Sequence, residues 1–149
     1  MDVHAYQKQI HLLYKKSNQS NSFFFRPHLK QYHLTHEEFK VLSIVHNKEG
    51  CTIGEVAEHL HLDATNISTT CKKLESLGYL SQIHNTLDKH IINLSLNEAG
   101  TICVKDCISF CKLHYEKQWA RYNKKDQNAI YNILKKMNQH LEKNEERTY

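Results

Sequence analysis

Three cysteines with helical spacing are the residues in this chain best suited to metal or redox chemistry. Cys103, Cys107 and Cys111 recur every four residues, which places them along one face of a helix, and His114 follows three residues later. Thiolate and imidazole together suit tetrahedral Zn(II). Thiols can also be oxidised, and buried cysteines often pack as small apolar residues. The spacing therefore leaves metal binding, redox sensing and core packing open.

The composition indicates what kind of protein holds these side chains. The chain has 149 residues and a formal net charge of +4, the size of one compact domain. The chain contains only 4 Gly and 1 Pro, and this scarcity of turn-forming residues favours a mainly helical structure. The odd number of cysteines, 5, argues against a secreted disulfide framework. No apolar run is long enough to span a bilayer, and the N-terminus lacks the pattern of a signal peptide. We therefore expect a soluble, cytoplasmic protein.

Enzyme motifs are missing from the sequence. It contains no nucleophile elbow, phosphate-binding loop or zinc-protease helix motif. We predict that the chain is not an enzyme and requires no cofactor.

The N-terminal third predicts two helices. Residues 2–32 have helical spacing of apolar residues, with a kink or break expected at 18–27, where turn-forming residues precede Pro27. Thr35 begins the second helix, because Thr35 and Glu38 have the spacing of a capping box.

The central segment predicts a winged helix-turn-helix. Thr52 begins one short helix, Asp63 caps the next through its carboxylate, and Gly78 ends that second helix in a left-handed conformation. Two strands, 80–84 and 90–96, then form a hairpin around a polar tip. A long helix from about 97 and a last helix from about 123 complete the chain. The predicted fold class is mainly α with a small β-hairpin wing, flanked by N- and C-terminal helices.

This order of elements resembles the MarR family of bacterial transcriptional regulators. The resemblance lies in the Leu34-Thr35 pair, the segments EVAEHLHLDATNIS and KKLESLGYL, and the wing DKHIINLSLNEAG (residues 88–100). It spans essentially the whole chain and implies a single domain, residues 1–149. In that domain 34–96 would bind DNA, and 1–33 and 97–149 would join two copies into a homodimer. The partner it implies is double-stranded DNA with an AT-rich pseudo-palindrome, read by two helices in successive major grooves.

Polar residues on the outer face of the second helix of the helix-turn-helix are the candidate DNA contacts. Asparagine pairs with adenine, Ser and Thr contact base edges, and lysines contact phosphates. An ordinary solvated helix face is the alternative interpretation. The candidate residues, with two from the wing, are Thr65, Asn66, Ser68, Thr69, Lys72, Lys73, Lys89 and His90.

The charge of this region departs from the family pattern. The family's wing arginine is replaced by His90, and no arginine lies between Arg26 and Arg121. Residues 52–96 carry three Lys/Arg against five Asp/Glu. We therefore expect weak phosphate neutralisation and a DNA affinity that rises from about pH 8 to about pH 6 as histidines gain charge.

The family resemblance also suggests where an effector would act. Metal-sensing members place ligands on the fifth helix and near the linker between the first two helices. That linker here offers His28, His33 and His36, and Asp106 adjoins Cys107 on the fifth helix. A small aromatic effector is a second possibility, in a pocket under the wing lined by Tyr6, Tyr14, Tyr32 and the phenylalanines at 23–25. The alternative is that these aromatic residues pack in the core of the dimer. The predicted function is a homodimeric, sequence-specific repressor released by a small ligand, an oxidant or a metal. The alternative is a winged-helix protein-interaction module with weak or lost DNA binding.

Overall fold

The computed structural model describes residues 2–145, with the side chains of 21, 22 and 143–145 left out of the description. Six helices and one two-stranded hairpin follow each other along the described residues. They are α1 (Val3–Lys30), α2 (His36–Asn47), α3 (Ile53–Leu60), α4 (Ala64–Ser76), β1 (Leu80–His84), β2 (Ile92–Leu96), α5 (Glu98–Trp119) and α6 (Lys124–Glu145).

Helix α1 is continuous, so the predicted break at 18–27 is wrong. Pro27 lies inside the helix, where it lacks one backbone hydrogen bond. Buried residues on both sides of it offset that cost: Phe25 and Leu29 are in the core, and the Phe25 ring packs edge-on against Phe39 with centroids 5.0 Å apart. Tertiary packing thus overrides the local preference of the proline and the polar run before it.

Side-chain caps begin the next two helices as predicted. The Thr35 amide donates to Glu38 Oε2 at 2.9 Å, and the Glu38 amide donates back to Thr35 Oγ1 at 3.3 Å. Thr52 and Glu55 form the same reciprocal pair at the start of α3. These contacts satisfy amides that have no partner within the helix.

Asp63 holds the N-cap position of α4, as predicted, but its carboxylate accepts no amide hydrogen bond there. The predicted capping role of the side chain is therefore wrong. At the other end, the structure confirms the left-handed Gly78, with φ at 78°.

The core lies among α1, α2, α3, α4, the hairpin and the first half of α5. Fully or nearly fully buried apolar side chains from each of these elements form it. They include Leu29, Val41, Leu42, Val45, Val56, Ile67, Leu74, Leu80, Leu94 and Val104.

The hairpin pairs β1 with β2 in antiparallel register, Leu80 with Leu96 and His84 with Ile92. Strand β2 begins at Ile92 rather than at residue 90, because the Asn85 and Asp88 side chains take loop amides that a ladder would have used. The Leu94 amide donates to the Cys51 carbonyl at 2.8 Å. The hairpin is thereby tied to the residues that precede α3.

The chain divides into two compact units, one ending at Ser109 and the other beginning at Phe110. In the second unit α6 begins at a cap, where the Asp126 amide donates to Asn123 Oδ1 at 2.9 Å. Among the described residues, no helix combines the length and apolarity that crossing a bilayer requires.

Candidate nucleic-acid interface

Helix α4 and the wing meet around a concave groove of about 680 Å³. From α4 the groove is lined by Thr65, Ser68, Thr69 and Lys72, and from the wing side by His90. Five of the eight predicted DNA contacts thus share one surface. Asn66 is exposed on α4 and Lys89 is exposed beside His90.

The α4 hydroxyls are partly engaged by the helix itself. Thr69 Oγ1 donates to the Thr65 carbonyl at 3.1 Å, and Thr70 Oγ1 donates to the Asn66 carbonyl at 3.0 Å. The Thr69 oxygen keeps its acceptor capacity and its methyl group, which are the features that contact a base edge or a thymine methyl. The amide of Asn66 supplies both a donor and an acceptor.

Lys73 differs from Lys72, although the two are neighbours on α4. Its ammonium forms an ion pair with Glu38 Oε1 at 2.5 Å, and the side chains are 49% and 11% exposed, respectively. Burial raises the pKa of the Glu38 carboxyl, but hydrogen bonds from Lys73 and Thr35 outweigh it, so that the pKa lies below its usual value. The predicted phosphate role thus belongs more naturally to Lys72, whose side chain lines the groove.

The loop of the wing is held by its own polar side chains. Asn85 Oδ1 accepts the Leu87 amide at 2.8 Å, and Asp88 Oδ1 accepts the His90 amide at 2.9 Å. Leu87 at the tip is 97% exposed. These contacts fix the backbone that carries Lys89 and His90.

A second polar cluster lies between α1 and α5. His28 Nε2 and Asp106 Oδ2 are 2.7 Å apart, and the Tyr32 hydroxyl donates to the same oxygen at 2.6 Å. The hydrogen bond from Tyr32 holds the pKa of Asp106 below its usual value, with a smaller effect from His28, and bonding to Asp106 raises the pKa of Tyr32. The Sγ of Cys107 lies within 4.8 Å of the His28 and Asp106 ligand atoms.

The cysteine stripe is divided between two environments. Cys103 and Cys107 are fully buried, and their mutual hydrogen bond lowers the pKa of Cys103. Cys111 belongs to the second unit, where burial raises its pKa. Cys51 and Cys71 are core residues, and burial raises the pKa of Cys71 to about 12.

Of the predicted effector residues, the structure brings His28 and Cys107 together and leaves His33 apart. His33 lies three residues beyond the end of α1, in the left-handed region with φ at 57°, and is exposed. Asp106 was expected beside Cys107, whereas Tyr32 was not predicted as a partner of this cluster. The signal for Tyr32 was available, because Tyr32 follows His28 by one helical turn.

The predicted aromatic pocket does not form within one chain. Tyr6 lies near the start of α1 and Tyr32 just beyond its end. At about 1.5 Å per residue they are roughly 40 Å apart. Tyr14 is exposed on the same helix, and the aromatic residues that follow divide between core and surface, with Phe25 buried and Phe23 exposed.

One hydrogen bond connects the cluster to the end of α4. The Tyr79 hydroxyl donates to the Tyr32 carbonyl at 3.1 Å. Tyr79 follows Gly78, and its amide donates to the Leu74 carbonyl of α4 at 3.0 Å. Tyr32 therefore contacts Asp106 through its side chain and Tyr79 through its backbone.

Known proteins share this architecture. Residues 34–92 match the model of the MarR family. The organic hydroperoxide resistance transcriptional regulator of Bacillus subtilis is 22% identical over 135 residues, covering 89% of this chain and 92% of that protein. The HTH-type transcriptional regulator SarZ of Staphylococcus aureus is 29% identical over 93 residues, covering 62% of this chain and 63% of SarZ.

A solved structure extends the likeness to nearly the whole chain. FabT of Streptococcus pneumoniae, crystallised in complex with DNA, superposes with a TM-score of 0.76 at 17% identity, covering 93% of this chain and 98% of FabT. The winged-helix fold predicted from the sequence is thus confirmed. The two curated proteins that this chain resembles are transcriptional regulators, the class of protein that the sequence predicted. Residues 34–92 of this chain are thus similar to the MarR family of transcriptional regulators.

Proposed function

We propose that the chain is a sequence-specific DNA-binding regulator that represses transcription as a homodimer. The observation that carries this proposal is the groove in which the outer face of α4 meets His90 of the wing. Side chains suited to base edges and phosphates share that surface. The match of residues 34–92 to the MarR family model and the DNA complex of FabT support the same assignment.

Base reading falls to the uncharged residues of α4. Asn66 has the donor and acceptor pair that matches adenine, and Thr65, Ser68 and Thr69 present small polar groups beside it. The helix contributes little positive charge, because Lys73 is paired with Glu38. Specificity in this regulator would therefore depend on base contacts more than on phosphate attraction.

Lysines and histidines supply the phosphate contacts. Lys72 lines the groove, and Lys89 and His90 are exposed on the wing. Each protonated histidine that reaches a phosphate adds one counterion to those released on binding. This supports the expected rise in affinity as the pH falls from about 8 to about 6.

Exposed apolar side chains support a homodimer. Tyr6, Leu13 and Tyr14 are exposed on the first half of α1. In the second unit, α5 and α6 expose a larger apolar set, which includes Leu113, Tyr115, Trp119, Tyr131, Ile133, Leu134 and Leu141. Helices this apolar on their outer faces typically pack against another chain. A second copy would also supply the second reading helix that a pseudo-palindrome requires.

An effector would release the repressor by changing this dimer. A small ligand, an oxidant and a metal each remain proposals for that role. Of these three effectors an oxidant is the least favoured, because the thiols of Cys103 and Cys107 are fully buried in the single chain.

The experiment is fluorescence anisotropy of a labelled duplex from the intergenic region upstream of the protein's own gene, at several salt concentrations. The proposal predicts binding whose log affinity falls linearly with log salt, by about 0.9 per phosphate contact. A helix-turn-helix that serves protein contacts would show no binding even at low salt and pH 6. That result would establish the interaction module instead.

A further inference from the structure

We propose that His28, Asp106 and Cys107 form a binding site for a divalent transition metal of the Zn(II) class. The three residues offer an imidazole nitrogen, a carboxylate oxygen and a thiol sulfur. Zinc takes these three donors in proteins, and thiolate with imidazole disfavours the oxygen-seeking Mg²⁺ and Ca²⁺. The site connects α1 to α5, so it requires the fold and cannot form from one helix alone.

The spacing of the donor atoms fits one ion after a small adjustment. All three atoms lie within 4.8 Å of one another. Zinc–ligand bonds of about 2.0–2.3 Å in a tetrahedron place donor atoms roughly 3.3–3.8 Å apart. His28 and Asp106, at 2.7 Å, must separate by about half an ångström, and the Cys107 sulfur must approach them by up to about 1 Å. Replacing their direct hydrogen bond by a shared metal ion accomplishes that.

Burial gives the site an inner and an outer side. Cys107 is fully buried, whereas the side chains of His28 and Asp106 are 12% and 47% exposed. An ion would enter from the Asp106 side and meet the thiolate at the inner end. Three protein donors leave a fourth tetrahedral position, which a water molecule can fill.

Tyr32 is a positioning residue for this site. Its hydroxyl donates to Asp106 Oδ2 at 2.6 Å and so fixes the orientation of the carboxylate. Hydrogen-bond partners of metal ligands typically change metal affinity by about 10- to 100-fold when they are removed. Tyr32 and Asp106 are thus arranged as a ligand and its orienting partner.

The same tyrosine connects the metal site to the DNA-reading helix. Its carbonyl accepts the Tyr79 hydroxyl, and Tyr79 is bonded to the last turn of α4. Separation of Asp106 from His28 would shift Tyr32 and, through it, the contact with Tyr79. This regulatory part rests on the proposed function, whereas metal binding itself does not.

Cobalt(II) is the probe for binding, because it occupies zinc sites and shows absorption bands when a thiolate coordinates it. The full-length wild-type chain, kept reduced with a non-chelating phosphine, is expected to give a thiolate-to-cobalt band and tetrahedral ligand-field bands at one equivalent. Zinc should then displace the cobalt. Absence of the thiolate band in wild type would overturn the proposal.

Matched variants locate the site. Asp106→Asn, at an exposed position, should weaken cobalt binding by more than 100-fold, and Tyr32→Phe by about 10- to 100-fold. Cys107→Ser should abolish the thiolate band. If Cys107→Ser does not fold, His28→Gln serves in its place and should weaken cobalt binding. Cys111→Ser on the same helix and His33→Gln are the controls and should bind as wild type. Equal losses in the controls would contradict the assignment.

A separate arm tests regulation. Zinc should change the affinity of the wild type for its upstream duplex at least several-fold, and Tyr79→Phe should bind cobalt normally while losing most of that change. Metal binding without any effect of zinc on DNA affinity would overturn the regulatory part alone. Failure of the wild type to bind DNA would overturn the proposed function and leave the cobalt result standing.

Discussion

The groove at α4 and the cluster at α1 and α5 are built in opposite ways. Contacts within the groove are local: Thr69 bonds to the carbonyl of Thr65, four residues away. In the cluster, His28 and Tyr32 meet Asp106 across 78 and 74 positions of the sequence. The groove presents side chains to solvent, whereas the cluster holds its polar atoms against one another. The proposed DNA-reading surface and the proposed metal site thus differ in how far apart in the sequence their contacting residues lie.

Gly100→Ala should have the largest effect, because it breaks the packing that joins the two regions. A Cβ at this position would overlap the Tyr79 carbonyl, which accepts the Asn97 amide at the start of α5. Both the backbone of Tyr79 and the start of α5 would have to move. We expect a loss of about 3 kcal/mol in the free energy of unfolding, measured by urea denaturation.

Gly54→Ala is the matched control for Gly100→Ala. Gly54 is also helical, and the nearest atom to an added Cβ is Thr52 Oγ1 at 3.8 Å. That substitution should stabilise the chain by about 0.5–1 kcal/mol. Equal effects of the two substitutions would show that the approach of Gly100 to Tyr79 is unimportant.

Substitutions of the two neighbouring lysines on α4 should have different effects, one on DNA binding and the other on stability. Lys73→Ala leaves the carboxylate of Glu38 without its ion pair in a mostly buried position and should lower the free energy of unfolding by about 1–2 kcal/mol. Lys72→Ala should leave stability unchanged and reduce the salt slope of DNA binding by about 0.9. The two measurements are urea denaturation and anisotropy at several salt concentrations. Identical profiles for the two variants would contradict the assignment of Lys73 to Glu38.

The stabilisation that the Glu38–Lys73 ion pair provides should depend on pH. The pKa of its carboxyl lies below the usual 4.5 in the folded chain, so its ion pair stabilises the fold above about pH 4.5 and loses that effect as the pH falls further. Glu38→Gln should therefore be less stable than wild type at pH 7, by about 1 kcal/mol, and the difference should shrink as the pH falls below 4.5. The test is thermal unfolding across this range. A difference that stays constant from pH 7 to pH 3 would show that the pair contributes nothing.

The sequence predicted best those elements whose signals are local. Capping boxes at Thr35 and Thr52 and the left-handed Gly78 depend on neighbours within four residues, and the structure confirms all three. The continuity of α1 through Pro27 depends on the burial of Phe25 and Leu29, which local preference does not contain.

The two candidate sites also differ in whether local sequence signals predict them. Residues of the groove share one helix face and the wing beside it, so periodicity and element order were enough to bring most of them together. The pairing of Lys73 with Glu38 and the bonds at Asp106 join residues more than 30 positions apart. Contacts at such distances depend on how the helices pack, and no spacing rule specifies them.

Replacing His90 should have the smallest effect of these substitutions. His90 lines the groove, so a positive charge on its imidazole would add one phosphate contact. We expect the salt slope of DNA binding to steepen by up to about 0.9 between pH 8 and pH 6 in the wild type, and to change less in His90→Gln. His140→Gln, on α6, is the control. The same slope at both pH values in the wild type would contradict this role.

The central claim is that α4 reads a DNA sequence. It is tested most directly by competing the labelled upstream duplex with unlabelled duplexes, one specific and one scrambled to the same composition, for the wild type and Asn66→Ala. We predict a wild-type preference for the specific duplex of at least 1,000-fold, which Asn66→Ala reduces by about 10- to 100-fold. Equal competition by the specific and scrambled duplexes against the wild type would contradict the claim.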